Sequence, residues 1–330
     1  MKLGELARTP AETKAAVLAL VQRTHERSQW AIRRILQALA IPRAVYYSWR
    51  DRATTDRLAD TPPQAPRTAQ LLPSEREAIV TYAQTHPTLG YRRLAWSMVD
   101  AEVALASPSA VYDVLRAAGT LYRPPRDDTT LRRPPLATRP DQRWHLDVLY
   151  LWVFGRWYFL VTVIDAYSRY VVAWDLCWQL TDDAMALVLR TALDRTPGAR
   201  PEIVTDNAPE FIGRDFLLAC KAESLKHIRT RIYHPQSNGT LERYHRTFRE
   251  EGWAGQQPAD YPAALALITE WVQTYNTIRL HSALQYLTPW DYYRGDPVAR
   301  LTDRRNKLQA ARTRRREAWA AYYAAAPTAA

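Results

Sequence analysis

The stretch WHLDVLYLWVFGRWYFLVTVIDAYSRYVVAWDLCW, residues 144–178, decides the fold. It is dense in Val, Leu, Tyr and Trp, and it is interrupted at Phe154-Gly155-Arg156 and again at Ser168-Arg169. β-Branched and aromatic runs bounded by turn residues predict three consecutive strands joined by short turns. Downstream, TDDAMALVLRTALDR predicts a helix with Thr181 as its N-cap. EIVTD (202–206) reads as a short fourth strand, residues 209–223 as helix, and KHIRT (226–230) as a fifth strand. HPQSNG (234–239) is a loop, followed by helices over 240–252 and 261–278. Three strands, helix, strand, helix, strand and then helices predict a mixed sheet covered by helices.

That order is the one of the ribonuclease H-like fold. Upstream the texture is helical. Residues 11–24, 29–39 and 43–52 form three candidate helices, the last short and rich in Arg and aromatic residues. Helix, tight turn and Arg-rich helix suggest a helix-turn-helix in which Arg43, Tyr46, Tyr47, Arg50 and Arg52 face DNA; the alternative is a plain three-helix bundle. Residues 74–120 repeat the theme. A capping box is expected at Ser74 and Glu77, a helix start at Ser107-Pro108 and a stop at Gly119, with Arg92 and Arg93 as candidate DNA contacts beside Tyr91. The expected class is therefore α/β, a ribonuclease H-like mixed sheet flanked by helices and preceded by two small all-α helix-turn-helix domains. The expected boundaries are a first module over 1–55, a linker over 56–72 and a second module over 73–122. A Pro/Arg-rich linker follows over 123–142, then the catalytic core over 143–300 and a basic tail over 301–330.

Charge points the same way. The 330 residues carry a formal net charge of +11. Residues 143–260 hold 14 basic and 15 acidic residues, whereas both flanks are basic. The excess is mostly Arg, whose planar fork suits phosphate oxygens. Arg132 and Arg133 lie in the Pro-spaced linker, where an extended Arg-studded segment would follow a DNA groove or simply remain solvated. No apolar run approaches the ~18 residues that span a bilayer, so no membrane partner is expected. Cys177 and Cys220 are too few for a disulfide framework or a four-cysteine zinc site; both are expected in the core, in a reducing cytoplasm.

Three acids stand out by position: Asp147 within the first strand, Asp206 at the end of the fourth, and Glu242 in the first turn of the helix after HPQSNG. If strands one and four are adjacent, the two Asp side chains converge on one edge. Three clustered carboxylates repel one another unless a cation neutralises them. Hard oxygen ligands suit Mg²⁺ or Mn²⁺, and a pair of such ions activates an attacking oxygen while stabilising a leaving one. The alternatives are an acid on an exposed strand face, a turn residue before Asn207, and a favourable charge at a helix N-terminus.

WHLD with Tyr150, VIDAYSRYVVAW, TDNAPEF, HPQSNGTLERYHRTFREE and YNTIRLHSALQYLTPWDYY occur in this order. Together they resemble the blocks of insertion-sequence transposases with a retroviral-integrase-type core, over roughly residues 143–300. Between Asp206 and Glu242 lie 35 residues, the spacing of that family's Asp-Asp-35-Glu motif. The resemblance implies that Asp147, Asp206 and Glu242 are the catalytic, metal-binding triad, with Mg²⁺ or Mn²⁺ as cofactor, two ions per site. It implies metal-dependent 3′-end cleavage and strand transfer on double-stranded DNA, at element ends and target, by a homo-oligomer associated with a bacterial nucleoid. A ribonuclease H-like nuclease and a catalytically silent DNA-binding relic or repressor remain the alternatives.

Asn207, His234, Gln236, Asn238, Arg243, Arg246 and Arg249 surround the triad in sequence and are candidate DNA contacts. His245 reads equally as a surface residue or a contact. Asp165 reads as structural. Asn276, Arg279, His281 and Ser282 either pack against the core or touch DNA. The tail over 304–316 is expected to be a basic helix. Two departures from the family pattern matter. Ala208 stands where Gly is frequent, which would strain a positive φ. The His-His-Cys-Cys zinc module of retroviral integrases is absent, because residues 1–140 contain no Cys.

Overall fold

Alternation along the first strand sets the layering. In the computed structural model, which describes residues 10–55, 58, 70–122, 137–230 and 239–325, β1 (Arg143–Val153) sends Trp144 and Leu146 to one face and Leu149, Leu151 and Val153 to the other. Strand β2 (Arg156–Asp165) pairs antiparallel with β1, and β3 (Val171–Cys177) pairs antiparallel with β2. Strand β4 (Glu202–Thr205) lies parallel on the other side of β1, and β5 (His227–Arg229) lies parallel to β4. The sheet order is β3-β2-β1-β4-β5, the mixed ribonuclease H-like arrangement that the element order predicts.

Both faces are apolar, so both must be covered. Before the sheet come α1 to α6. Helices α7 (Asp182–Asp194), α8 (Pro209–Ile212) and α9 (Arg214–Ala222) cover one face through Met185, Val188, Leu189, Phe211 and Phe216. Helices α10 (Gly239–Thr247) and α11 (Tyr261–Thr277) cover the other through Leu241, Tyr244, Ile268 and Tyr275, with a π-helical turn over Phe248–Trp253 between them. Cys177 and Cys220 are in the first layer, where burial pushes their thiols up to about 12 and about 11. Both are held as neutral core side chains, as expected.

Strand β3 is an edge, and its backbone groups need partners. The Val171 N–H donates to Asn276 Oδ1 at 2.9 Å, and Asn276 Nδ2 donates to the Val171 carbonyl at 3.0 Å. Arg279 grips Glu251 with two bonds of 2.7 and 2.6 Å and reaches His281 at 3.5 Å. Asn276, Arg279 and His281 therefore close the fold. Asp165, fully buried, accepts from the Asp141 N–H at 2.9 Å, the Ser168 N–H at 2.7 Å and Ser168 Oγ at 2.6 Å, which makes it a turn anchor.

The chain divides into two compact units, residues 1–70 with 318–330, and residues 71–317. In the first, α1 (Ala11–Ser28), α2 (Ile32–Ala38) and α3 (Arg43–Ala53) surround Val21, Ile35, Leu36 and Tyr46. Tyr46 is only 2% exposed, which corrects its reading as a DNA-facing residue: it is the aromatic centre of this small core. In the second unit α4 (Pro73–Thr85), α5 (Tyr91–Asp100) and α6 (Pro108–Ala117) pack around Ile79, Leu94, Met98 and Val111. Helix α4 begins one residue before the expected box. Pro73 occupies its first turn, where a missing N–H costs nothing, and Glu75 accepts the Leu72 N–H at 2.9 Å. The capping residue is thus Glu75 and not Glu77. Ser107 Oγ accepts from the Ala110 N–H at 3.3 Å, as its cap position predicts. After α12 (Pro289–Tyr293), α13 runs over Pro297–Ala325. The tail over 304–316 is thus helical, yet Arg304 and Arg315 are buried. Among the described residues no helix is long and apolar enough to cross a membrane.

Two stability tests follow. The β1–β2 turn holds Phe154 at φ 44° and Gly155 at φ 77°, and Phe154 is 77% exposed. A bulky residue is disfavoured in that region, whereas Asn is tolerated. Phe154→Asn is expected to stabilise the protein by about 1 kcal/mol, read as a rise in urea midpoint; no change or a fall would contradict the turn assignment. Asn276→Leu is expected to cost about 2 kcal/mol, because it leaves both Val171 backbone groups unsatisfied. An unchanged midpoint would show that the edge is held elsewhere.

Candidate active site

Parallel pairing brings the first two acids together. Arg143, Trp144 and His145 of β1 stand opposite Glu202, Ile203 and Val204 of β4. Carrying that register two residues onward places Asp206 abreast of Asp147. Helix α10 then starts beside them with Glu242 in its first turn. The guanidinium of Arg169, in the turn between β2 and β3, donates to Thr240 Oγ1 and fixes the start of that helix. Arg169 adopts φ 65°, so the turn is shaped to deliver this contact.

The acids form one electrostatic neighbourhood. Burial foremost, with smaller contributions from the charges of Asp206, Glu242 and Glu210 and against the opposing Val148 N–H bond, pushes the Asp147 carboxyl up to about 6. That N–H donates to Asp147 Oδ1 at 2.9 Å, and the Ala208 N–H donates to Asp206 Oδ1 at 3.0 Å. Among the described residues, no three His, Cys, Asp or Glu side chains are grouped closely enough to hold a metal ion. The donor chemistry nonetheless fits a hard divalent cation. Burial chiefly, and the nearby charges of Asp206, Glu242 and Glu210 to a lesser degree, raise the proton affinity of Asp147, and a bound cation would offset both costs.

Ala208 is not strained. Its φ is −63° and its ψ 147°, extended values that it adopts as the N-cap of α8. The departure from Gly therefore leaves the loop intact, and it removes the local ground for reading the site as a relic. Asn207 is exposed, and its Nδ2 donates to the Thr230 carbonyl at 2.7 Å, tying the loop after β4 to the end of β5.

Sequence reasoning misses Glu210 and leaves His245 undecided. Glu210 lies four positions after Asp206, and Pro209 starts α8 so that its charge reaches Asp147. His245 is 7% exposed, with Nδ1 3.8 Å from Asp147 Oδ2. Burial, assisted by Arg249, lowers its pKa to about 4, so it is neutral near pH 7. The signal was present in the spacing: Leu241, Tyr244, His245 and Phe248 follow the i, i+3, i+4, i+7 pattern of a buried stripe.

The remaining candidates divide. Arg243, Arg246 and Arg249 are exposed on the α10 side of the site. Arg43 and Arg50 are exposed on α3, and the Arg50 guanidinium stacks on Tyr47 at 4.7 Å. Arg52 is turned inward and donates to the Leu58 carbonyl at 3.4 Å. Arg92 is exposed and lies over Tyr91 at 4.8 Å. Arg93 is instead paired with Glu251 at 3.6 Å, where burial and the nearby Arg279 lower its pKa, so its charge serves the fold. Arg132, Arg133, His234, Gln236 and Asn238 lie outside the described residues.

Two integrase core domain families match residues 137–235 and 223–289. A 31.7 kDa protein of insertion element IS407 from Burkholderia multivorans is 31% identical over 225 residues, covering 65% of this chain and 78% of that one. The putative transposase InsK of element IS150 from Escherichia coli is 24% identical over 276 residues, covering 78% of this chain and 92% of its own. Among solved structures, the HTLV-2 integrase catalytic core in complex with magnesium aligns with a TM-score of 0.38 and 20% identity, over 48% of this chain and 99% of that one. With a ribonuclease H-like sheet, an integrase core match and a relative similar over most of its length, the chain belongs to the insertion-sequence transposases built on an integrase core domain.

Proposed function

We propose that this transposase binds the duplex ends of its own element, hydrolyses a phosphodiester to expose a 3′-hydroxyl, and directs that hydroxyl onto a second phosphodiester, where the new ester bond forms as the 3′-oxygen of the attacked strand leaves. The observation that carries the reading is the shared charge field of Asp147, Asp206 and Glu242 on an integrase core. These three carboxylates would hold Mg²⁺ or Mn²⁺, two ions per site. When bound, the cation supplies Lewis acidity to the scissile phosphate. The protein's own residues then supply position. The Ala208 N–H orients Asp206, the Val148 N–H and neutral His245 flank Asp147, and the Arg169–Thr240 bond sets the start of the helix bearing Glu242.

Arg243, Arg246 and Arg249 would take backbone phosphates next to the reacting one. Arg43, Tyr47, Arg50 and Arg92 would contact the element ends from the helical modules. Two ends joined in one event call for at least two copies of the chain.

The direct test is a cleavage and joining assay on the terminal sequences that flank the gene. Products joined through a 3′-end are expected with Mg²⁺, absent with chelator, and reduced by at least about 100-fold in Asp206→Asn. Nicking without joining would assign a nuclease instead. Activity unchanged by Asp206→Asn would overturn the assignment.

A second test reads the cost of the buried charge at Asp147. The Asp147 carboxyl titrates at about 6 in the fold against 3.8 when free. Its charged form therefore destabilises the cation-free protein above pH 6, and this cost is relieved as pH falls and the folded carboxyl takes up its proton. In chelator at pH 7.5, Asp147→Asn is expected to raise stability by roughly 1–2 kcal/mol, seen as a higher melting temperature, while activity is lost. A melting temperature below that of the wild type would contradict a cost from the buried Asp147 charge.

A further inference from the structure

The arginines of α13 fall into two sets. Arg304, 2% exposed, donates to the two Asp100 oxygens at 2.8 and 2.5 Å and to the Tyr286 carbonyl at 2.8 Å, and it lies 5.0 Å from the Trp96 ring. Arg315 donates to both Glu75 oxygens at 2.7 and 2.8 Å and to the Leu105 carbonyl at 2.6 Å. With Ala311 buried between them, these residues fasten the helix to α4 and α5. Lys307 pairs with Glu102 at 2.9 Å and Asp303 at 3.2 Å.

The second set is exposed. Arg305, Arg312, Arg314 and Arg316 have no acidic partner among the described residues; Arg305 bonds only Thr302 Oγ1, at 2.9 Å, and Arg314 lies on the opposite side of the helix from the other three. At 100° per residue, positions 305, 312 and 316 fall within an arc of about 40°, a quarter-turn from the buried row of 304, 311 and 315. They are spaced along the axis by about 10 and 6 Å. Residues 304–316 contain seven basic residues and no acidic one. Arg312 and Arg316 stand at i, i+4, a like-charge pair that weakens a helix. The row therefore does nothing for the helix that carries it, although that same helix pairs its arginines with acids wherever they serve the fold.

We infer that Arg305, Arg312 and Arg316 form a second DNA contact surface, a rigid row that binds the phosphate backbone of duplex DNA without reading its sequence. Planar guanidinium forks on a helix fastened by two buried ion pairs match consecutive phosphates better than a mobile tail does. This inference rests on the proposed function, since it supposes duplex DNA as the substrate.

The test is fluorescence anisotropy of the full chain with two unrelated 40-base-pair duplexes between 50 and 200 mM salt. Each phosphate contact contributes about 0.9 to the slope of log affinity against log salt. The triple variant Arg305→Gln, Arg312→Gln, Arg316→Gln is expected to lower that slope by about 2–3 and to weaken both duplexes equally, by roughly 10–100-fold, with an unchanged melting temperature. The corresponding triple Arg→Lys variant should keep the slope, because the charges remain. Arg314→Gln, on the opposite side of the helix, should change it by less than a third as much. A triple Gln variant with the wild-type slope, or one weakened on a single sequence only, would overturn the row. Wild-type protein with no salt-dependent affinity for either duplex would overturn the proposed function as well, whereas wild-type binding matched by the triple variant would overturn the row alone. An equal loss on single-stranded RNA with none on duplex DNA would assign the surface to RNA and overturn it as stated.

Discussion

Negative charges that repel one another must be held together, and this fold is arranged to do so. The parallel pairing of β1 with β4 sets Asp206 abreast of Asp147, and no local sequence preference would achieve that alone. Everything that supports the pairing, from the apolar layers on both faces to the clamp on the edge strand, also serves the charge cluster. The raised proton affinity of Asp147 reflects first its burial and then the charges of Asp206, Glu242 and Glu210 beside it. A well-packed scaffold is required for this, since a looser one would relax by separating the acids.

Much of this was legible in the sequence. The five strands and the helices between them announced themselves through β-branched runs, short turns and helical spacing. The 35-residue interval between Asp206 and Glu242 was visible as well. What sequence reading missed was long-range. Tyr46 read as a DNA contact because it sits among arginines, but the small core of α1 to α3 needs an aromatic centre. Arg93 read as a contact beside Arg92, but its partner Glu251 lies far along the chain. The helix start at Pro73 was displaced because the proline fits the first turn better than Ser74 fits the cap. His245 was left undecided because its burial depends on α10 lying against β1.

Arginine is used here for three kinds of work. Buried forks such as Arg304 and Arg315 hold distant elements by bidentate ion pairs, which breaking would leave as unpaired buried charge. Arg169 and Arg279 position helices and turns around the site. Exposed arginines on α3, α10 and α13 face outward, where they would supply the positive field that the proposed DNA substrate requires. Net charge alone does not separate these roles; the contacts of each guanidinium do.

On the proposed reading, Asp147, Asp206 and Glu242 act as one cation-binding group. Calorimetric titration of Mn²⁺ into the DNA-free protein tests it most directly, with Asp147→Asn, Asp206→Asn and Glu242→Gln measured beside the wild type. Saturable binding to the wild type and at least about tenfold weaker binding to each variant are expected, since each removes one hard oxygen donor. Wild-type affinity in any of the three would show that the residue concerned does not belong to the group.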